Sequence, residues 1–338
     1  MGITAVIRSV SHHVPTRRVT NEDLSKLMET SDEWITERTG IKERRFIEDD
    51  SVTTSTLGEA AARAALEKAG WDAKDVDLIV VATLSPDLYF PGVGVLLQQR
   101  LGCRTIPALD IRAQCSGLVY GLSCVDGYIR SRQAKKVLLV CAEVQSPVLD
   151  LTNRGRDMAV LFGDGAGALT IEAVESLSAS EAGRGIIDSY LGSDGSGAEV
   201  LCMKLPGTAR PGFIKSSDIE EGLVHPKMDG KVVFKNAVTR LLETAQALLM
   251  RNKVTPDQID LVVPHQANLR INEMVRQELK LPPEKVFNNI QRYGNTTAAT
   301  IPICLSEAVA EGRLKEGNLV LTLAFGAGFT WGGNLIRW

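Results

Sequence analysis

The sequence predicts an α/β protein made of two duplicated halves, on three observations. Short Val/Ile/Leu runs alternate along the chain with longer Ala-rich stretches, the order expected of strands in a buried sheet covered by helices. The segment Lys74-Asp75-Val76-Asp77-Leu78-Ile79-Val80-Val81 is echoed by Asp257-Gln258-Ile259-Asp260-Leu261-Val262-Val263-Pro264, 183 residues later. Lys136-Val137-Leu138-Leu139-Val140 is echoed by Asn318-Leu319-Val320-Leu321-Thr322, at an offset of 182. Two echoes at almost one offset point to duplication, and the halves are assigned to residues 1–175 and 176–338.

Each element has a local reason. Helical patterns cover 57–69, 118–131, 232–250, 269–279 and 301–312, where Ala and Leu recur at helical spacing. The apolar runs near 79–81, 136–140, 261–263 and 319–323 are short and β-branched, as buried strands are. The stretch 192–229 is rich in Gly, Pro, Ser and Lys and reads as surface loops, either a connector or a cover over a substrate tunnel. Gly163-Asp164-Gly165-Ala166-Gly167-Ala168 lacks the spacing of a dinucleotide-binding loop and reads as a tight glycine turn. The cluster Glu48-Asp49-Asp50 reads as a solvated loop.

Composition narrows the function. With 338 residues, 44% hydrophobic and 23% charged, the chain has the balance of an ordinary soluble globular protein. Its 38 basic and 41 acidic residues leave a formal charge of -3, so no global field favours nucleic acid or an anionic membrane. No apolar run approaches the roughly 18 residues that span a bilayer, and residues 1–10 lack the parts of a signal peptide, so a cytoplasmic location is expected. The six cysteines show no C-x-x-C spacing, which argues against a zinc site or a disulfide framework. Five of them read as small buried hydrophobes, and no metal or redox cofactor is expected.

The sixth, Cys115, lies in Ala113-Gln114-Cys115-Ser116-Gly117-Leu118, where a strand-like run gives way to a helix-like one. A thiol at a helix start is favoured as thiolate by unpaired amides and the helix dipole, and its own N–H is placed to stabilise an oxyanion. A packed structural cysteine is the equal alternative for this motif alone. His265, in Pro264-His265-Gln266-Ala267-Asn268, follows directly on a buried strand, whereas His12, His13 and His225 lie in segments that look like surface. Asn295, between Gly294 and Thr296, either occupies a turn or offers a neutral donor to an enolate or thioester oxygen. Under the repeat Cys115 falls opposite Thr297, so the duplication is expected to bring Cys115 and Asn295 together. The glycine-rich Phe325-Gly326-Ala327-Gly328-Phe329 is expected to form a flexible loop whose backbone amide completes an oxyanion hole.

Across these motifs the sequence resembles the ketoacyl-ACP synthase III family, thiolase-fold enzymes that start bacterial fatty-acid synthesis. The likeness extends through Ser31-Asp32-Glu33-Trp34-Ile35, Arg38-Thr39-Gly40-Ile41, the Cys115 segment, 161–168, Met228-Asp229-Gly230, Val233-Phe234-Lys235, 264–271, 293–297 and 324–333. It implies mixed five-stranded sheets in an αβαβα layering, and a homodimer. It further implies that Cys115 accepts an acyl group from acyl-CoA, that His265 and Asn295 hold the thioester carbonyl of malonyl-ACP, and that the amides of Cys115 and Ala327 form the oxyanion hole. Trp34, Arg38, Arg156, Gly230, Phe234 and Asn268 would then contact CoA, and Lys231, Lys235 and Arg270 would meet acidic ACP. Phe90, Gln114, Leu118 and Phe325 would shape the acyl pocket, with Phe90 closing it from the other subunit.

The chain departs from the family at Gln114, Leu118, Ala327 and the Gly92-Val93-Gly94 turn, all near the acyl tunnel. A degradative thiolase would carry a second cysteine in 326–332, and ketoacyl synthases I and II a second histidine in the place of Asn295; neither is present. A specialised synthase that primes secondary metabolites or joins long acyl chains remains a rival, as does a non-catalytic acyl-CoA or ACP binding subunit.

Overall fold

The computed structural model describes residues 2–175, 183–209 and 212–338. The expected boundary between residues 175 and 176 borders the stretch 176–182, which lies outside the described residues. The chain begins β1 (Thr4–His13), β2 (Arg18–Thr20), α1 (Asn21–Ser25), α2 (Asp32–Thr39), β3 (Glu43–Arg45), α3 (Thr54–Ala69), β4 (Leu78–Ala82) and α4 (Val93–Leu101). It continues through β5 (Ala108–Ile111), α5 (Gly117–Arg130), β6 (Lys136–Glu143), α6 (Arg156–Ala159) and β7 (Gly165–Val174). Then follow β8 (Gly185–Ser193), β9 (Leu201–Cys202), α7 (Ser216–Glu220), β10 (Lys227–Met228), α8 (Gly230–Asn252) and β11 (Leu261–Pro264). The last elements are α9 (Leu269–Glu278), α10 (Ile290–Tyr293), α11 (Thr300–Ala310), β12 (Leu319–Gly326) and β13 (Thr330–Arg337).

Two mixed sheets repeat one plan. The first has the order β1-β7-β6-β4-β5, with β4 parallel to β5 and β6 and with β7 antiparallel to β6 and β1. The second has the order β8-β13-β12-β11, with β11 parallel to β12 and β13 antiparallel to β12 and β8. The second sheet thus has four strands instead of the expected five. Its fifth position is held by one parallel bridge between Val262 and Val286, beside a Phe287 N–H to Val262 carbonyl bond of 2.9 Å. Pro282 and Pro283 shortly upstream lack amide donors and fix φ, which keeps this segment from joining the ladder as a full strand.

The strands are apolar on both faces because each face meets a different core. Leu78, Val80 and Ala82 of β4 face a central cluster with Leu118, Leu122, Val125, Ile301 and Leu305 of α5 and α11. Ile79 and Val81 face the outer cluster with Leu57, Ala61 and Leu97 of α3 and α4. In β12, Val320 and Ala324 join the central cluster, whereas Leu319, Leu321 and Leu323 pack with Leu241, Leu248 and Val275 of α8 and α9. The order is therefore α3/α4, first sheet, α5/α11, second sheet, α8/α9, the expected αβαβα layering.

Several local expectations change. Gly165 and Gly167 are not in a turn: they begin β7, and a Cβ on Gly167 would lie 2.6 Å from Pro302 Cβ, so glycine is required by the helix packed on the strand. The expected loop at 325–329 is a tight hairpin, since β12 runs to Gly326 and Gly326 pairs with Thr330. Within 192–229 the chain forms the end of β8, the small β9–β10 ribbon and α7, with residues 210–211 outside the described residues. Cys141 and Cys304 are buried as expected, but Cys103, Cys124 and Cys202 are half-buried. His12 is also half-buried, its Nδ1 2.9 Å from Ser306 Oγ, and is no surface residue.

The middle layer tolerates no bulk at one point. A Cβ on Gly117, at the start of α5, would stand 2.8 Å from Ala298 Cβ and 2.8 Å from Ala82 Cβ. Gly117→Val is expected to destabilise the fold by about 2–3 kcal/mol through overpacking, measured as a lowered urea midpoint at unchanged slope.

Candidate active site

Two turns of one shape carry the candidate groups. Gln114–Ser116 forms a single 3-10 turn ahead of α5, and Thr297–Ala299 forms its counterpart ahead of α11. Each opens on a non-glycine residue in the left-handed region, Gln114 at φ 46° and Thr297 at φ 47°. Such backbone costs about 1–3 kcal/mol and persists where the surroundings over-determine it. The two turns correspond at an offset of 183, so the counterpart of Cys115 is Ala298 and that of Gln114 is Thr297. This corrects the register read from the β6 echo by one residue.

Cys115 is buried, and the end of β12 presses against it. A Cβ on Gly326 would be 3.0 Å from both Cys115 Cβ and Cys115 N, which only glycine avoids. Ala327 follows at the half-buried tip of the hairpin. Ser116 Oγ donates to Thr330 O at 3.0 Å, and Thr330 Oγ1 lies 3.0 Å from Ala327 O and 3.3 Å from Ala113 O, stitching the hairpin to the cysteine turn. Burial pushes the Cys115 thiol up to about 12, helped by the Glu143 carboxylate. Its own backbone amide and the Asn295 side chain act against this. The expected stabilisation of a thiolate by the helix start is therefore overturned. Cys115 precedes α5, and the loss of water around the sulfur outweighs nearby dipoles.

His265 directly follows β11, and its N–H donates to Leu323 O of β12 at 2.7 Å. Gln266 shapes this turn: its Nε2 donates to Pro264 O at 2.7 Å, and its Oε1 accepts from Asn289 N and Ile290 N at 3.1 and 3.2 Å. The imidazole Nδ1 is 2.7 Å from Thr300 Oγ1, whereas Nε2 is buried and has no hydrogen-bond partner among the described residues. Burial alone lowers the His265 pKa to about 3, so the ring is neutral near pH 7.

Asn295 is fixed from three sides. Its N–H donates to Leu161 O at 2.8 Å, its carbonyl accepts from Gly163 N at 3.1 Å, and its Oδ1 accepts from Thr297 N at 2.8 Å. With the side-chain oxygen engaged, the NH2 is the end left for the sulfur side of the site. The fold thus brings Cys115 and Asn295 together from opposite halves, as the duplication predicts.

Glu143, at the end of β6, escaped the sequence reading. It is fully buried and accepts from Ser85 Oγ at 2.7 Å, Leu84 N at 3.2 Å, Thr83 Oγ1 at 3.2 Å and Gln145 Nε2 at 3.3 Å. Burial raises its pKa against these donors. Thr300 was also missed. A lone polar residue at the edge of an apolar run, closing β6 for Glu143 and opening α11 for Thr300, was the available signal.

The outer residues form a second group. Arg38 and Arg156 place their guanidinium carbons 4.5 and 4.8 Å from the Trp34 ring centre, a cation–π arrangement. Asn268 caps α9 and its Nδ2 donates to Arg38 O at 2.9 Å. Arg270, two residues on, lies 5.8 Å from the Phe234 ring centre. Gly230, Lys231 and Lys235 are exposed on the first turns of α8, whose start is capped by Asp229. The acyl-pocket candidates differ in exposure: Leu118 is buried in the central core, Phe325 packs on Phe329 at 4.9 Å, Gln114 is half-buried, and Phe90 is 80% exposed. Gly92 and Gly94 have a local cause, because the Asp110 carboxylate accepts from Val93 N and Gly94 N and a Cβ on Gly92 would strike it at 2.7 Å.

Comparison with known proteins gives a consistent family. Residues 109–195 match the family model described as 3-oxoacyl-[acyl-carrier-protein (ACP)] synthase III, and residues 249–338 match its C-terminal counterpart. The chain is 42% identical over 335 residues to beta-ketoacyl-[acyl-carrier-protein] synthase III of Chlorobaculum tepidum, covering 99% of both chains. It is 45% identical over 334 residues to the protein of that name from Paracoccus denitrificans, again covering 99% of each. Among solved structures, 3-oxoacyl-[acyl-carrier-protein] synthase III from Aquifex aeolicus VF5 superposes with a TM-score of 0.88 at 39% identity, covering 99% of this chain and 100% of that one.

The lowered pKa of His265 predicts a pH dependence of stability. The unfolded imidazole takes up a proton below its ordinary value of 6.5 while the folded one stays neutral until about 3, so stability falls as pH drops through this window. Between pH 7 and pH 5 this residue is expected to remove about 2 kcal/mol. Urea unfolding of the wild type and of His265→Gln at both pH values reads the difference, which the variant should lack.

Proposed function

The chain belongs to the 3-oxoacyl-[acyl-carrier-protein] synthase III family, and we propose that its site performs a decarboxylative condensation of an acyl-CoA primer with malonyl-ACP. The protein is an acyltransferase-type condensing enzyme that initiates fatty-acid synthesis. The reading is supported by the approach of the Asn295 amide to the buried Cys115 thiol, and by a buried, neutral His265 whose Nε2 has no hydrogen-bond partner among the described residues.

In the first half-reaction the Cys115 sulfur attacks the acyl-CoA carbonyl. The S–C bond to Cys115 forms, the bond to CoA sulfur breaks, and the Cys115 proton leaves with the CoA thiol. In the second, malonyl-ACP loses carbon dioxide; the electron pair of the broken C–C bond passes into an enolate whose oxygen His265 and Asn295 hold. Neutrality of His265 suits this role, since an imidazolium would quench the enolate by proton transfer. The enolate carbon then attacks the acyl-Cys115 carbonyl, the amides of Cys115 and Ala327 receive the oxyanion, and collapse returns the thiolate with 3-oxoacyl-ACP as product.

The outer group fits the two carriers. Trp34, Arg38 and Arg156 offer stacking and charge to a nucleotide with phosphates, while Gly230, Phe234 and Asn268 flank the approach of its pantetheine arm. The exposed Lys231, Lys235 and Arg270 supply positive charge for acidic ACP. A homodimer accounts for the exposed Leu88, Tyr89 and Phe90, with Phe90 reaching the partner's acyl pocket. No resident metal or redox cofactor has a role in these steps, and a cytoplasmic setting supplies both substrates.

Intact-protein mass after incubation with acyl-CoAs of increasing length tests the first half-reaction, and addition of malonyl-ACP tests the second. A short-chain adduct on the wild type, absent from Cys115→Ala and discharged by malonyl-ACP, is expected; adducts from long chains alone, or none that malonyl-ACP discharges, would move the assignment to a specialised acyltransferase. His265→Ala is expected to retain acylation of Cys115 while malonyl-ACP decarboxylation falls by about a hundredfold or more, read as released carbon dioxide.

A further inference from the structure

The proposed reaction asks a neutral imidazole to donate a hydrogen bond from Nε2, and a neutral imidazole carries only one N–H. Which nitrogen holds it is set by the group on the other one. Among the described residues Nδ1 has a single partner, Thr300 Oγ1 at 2.7 Å, in the first turn of α11 and 2% exposed. The Thr300 hydroxyl has one proton and two acceptors in reach: Nδ1, and Thr297 O at 3.0 Å. Thr297 O already accepts the backbone N–H of Thr300 in the 3-10 turn, so it does not depend on the hydroxyl. Nδ1 has nothing else. A hydroxyl proton directed at Nδ1 leaves the imidazole proton on Nε2, the buried end with no hydrogen-bond partner among the described residues.

We propose that Thr300 is a positioning residue that holds His265 in its Nε2–H tautomer, so that the condensation can use His265 as a hydrogen-bond donor. The inference rests on the condensing reading of the site and adds to it a residue that touches no substrate. It also explains the strained backbone at Thr297. The left-handed residue turns the chain so that α11 begins with Thr300 beneath the imidazole, just as Gln114 turns the chain to begin α5 after Cys115.

Nitrogen NMR of histidine-labelled protein, with its four histidines and His265→Gln for assignment, reads the tautomer directly. In the wild type, His265 Nε2 should give a pyrrole-type and Nδ1 a pyridine-type signal; the reverse pattern overturns the proposal. In Thr300→Val the pattern should shift toward the Nδ1–H form or a mixture, and the ratio of malonyl-ACP decarboxylation to Cys115 acylation should fall about tenfold. Thr300→Ser, which keeps the hydroxyl, should stay within about threefold of the wild type. An unchanged ratio in Thr300→Val, or an equal loss in Thr300→Ser, overturns it. If Thr300→Val fails to fold, the wild-type tautomer and Thr300→Ser still decide. A wild type that neither acylates Cys115 nor responds to malonyl-ACP refutes the condensing reading instead, and the NMR result then stands on its own.

Discussion

The approach of Gly117 on α5 to Ala298, just ahead of α11, is the contact on which the site depends. Both helices lie in the middle layer between two sheets that are each closed off on their far side, so their separation fixes the separation of the halves. Close packing of this kind transmits displacement instead of absorbing it. Cys115 sits two residues before one member of the contact, and Asn295 three residues before the other. Their meeting is a result of core packing, and neither turn holds it by itself.

Burial then sets the chemistry. The same loss of water pushes the Cys115 thiol up and the His265 imidazole down, so both groups are held neutral. Glu143 adds a negative field close to the sulfur while being held by donors from Thr83, Leu84, Ser85 and Gln145. Deprotonation of the thiol is therefore costly until a substrate supplies an electrophile at the sulfur. A buried thiol held protonated in this way is shielded from casual alkylation and oxidation.

Much of this was legible in the sequence because duplication repeats hydrophobic pattern and spacing together. The strands β4, β6, β11 and β12 and the helices α3, α5, α8 and α11 follow from period and composition, and His265 followed from its place after a buried strand. What escaped depends on three-dimensional context. The missing fifth strand turns on two prolines whose effect needs a neighbouring ladder. The hairpin at Gly326 has the composition of a loop and is ordered by Ser116 and Thr330, 214 residues apart. Thr300 and Glu143 are single polar residues whose meaning lies in what they face, and the direction of the Cys115 pKa needed the depth of burial, which periodicity does not measure.

The two mirrored turns, at Gln114 and Thr297, have a consequence for stoichiometry. Ancestrally equivalent, they present Cys115 in one half and Ala298 in the other, and the Ala298 methyl already fills the gap against Gly117. A sulfur at Ala298 would require Gly117 to retreat and would separate the helices that bring Asn295 to Cys115. The duplicated architecture therefore excludes a symmetric pair of cysteines at these two turns within one polypeptide. Of the two turns only the first offers a sulfur, and the second copy of the ancestral unit serves as floor and walls around it.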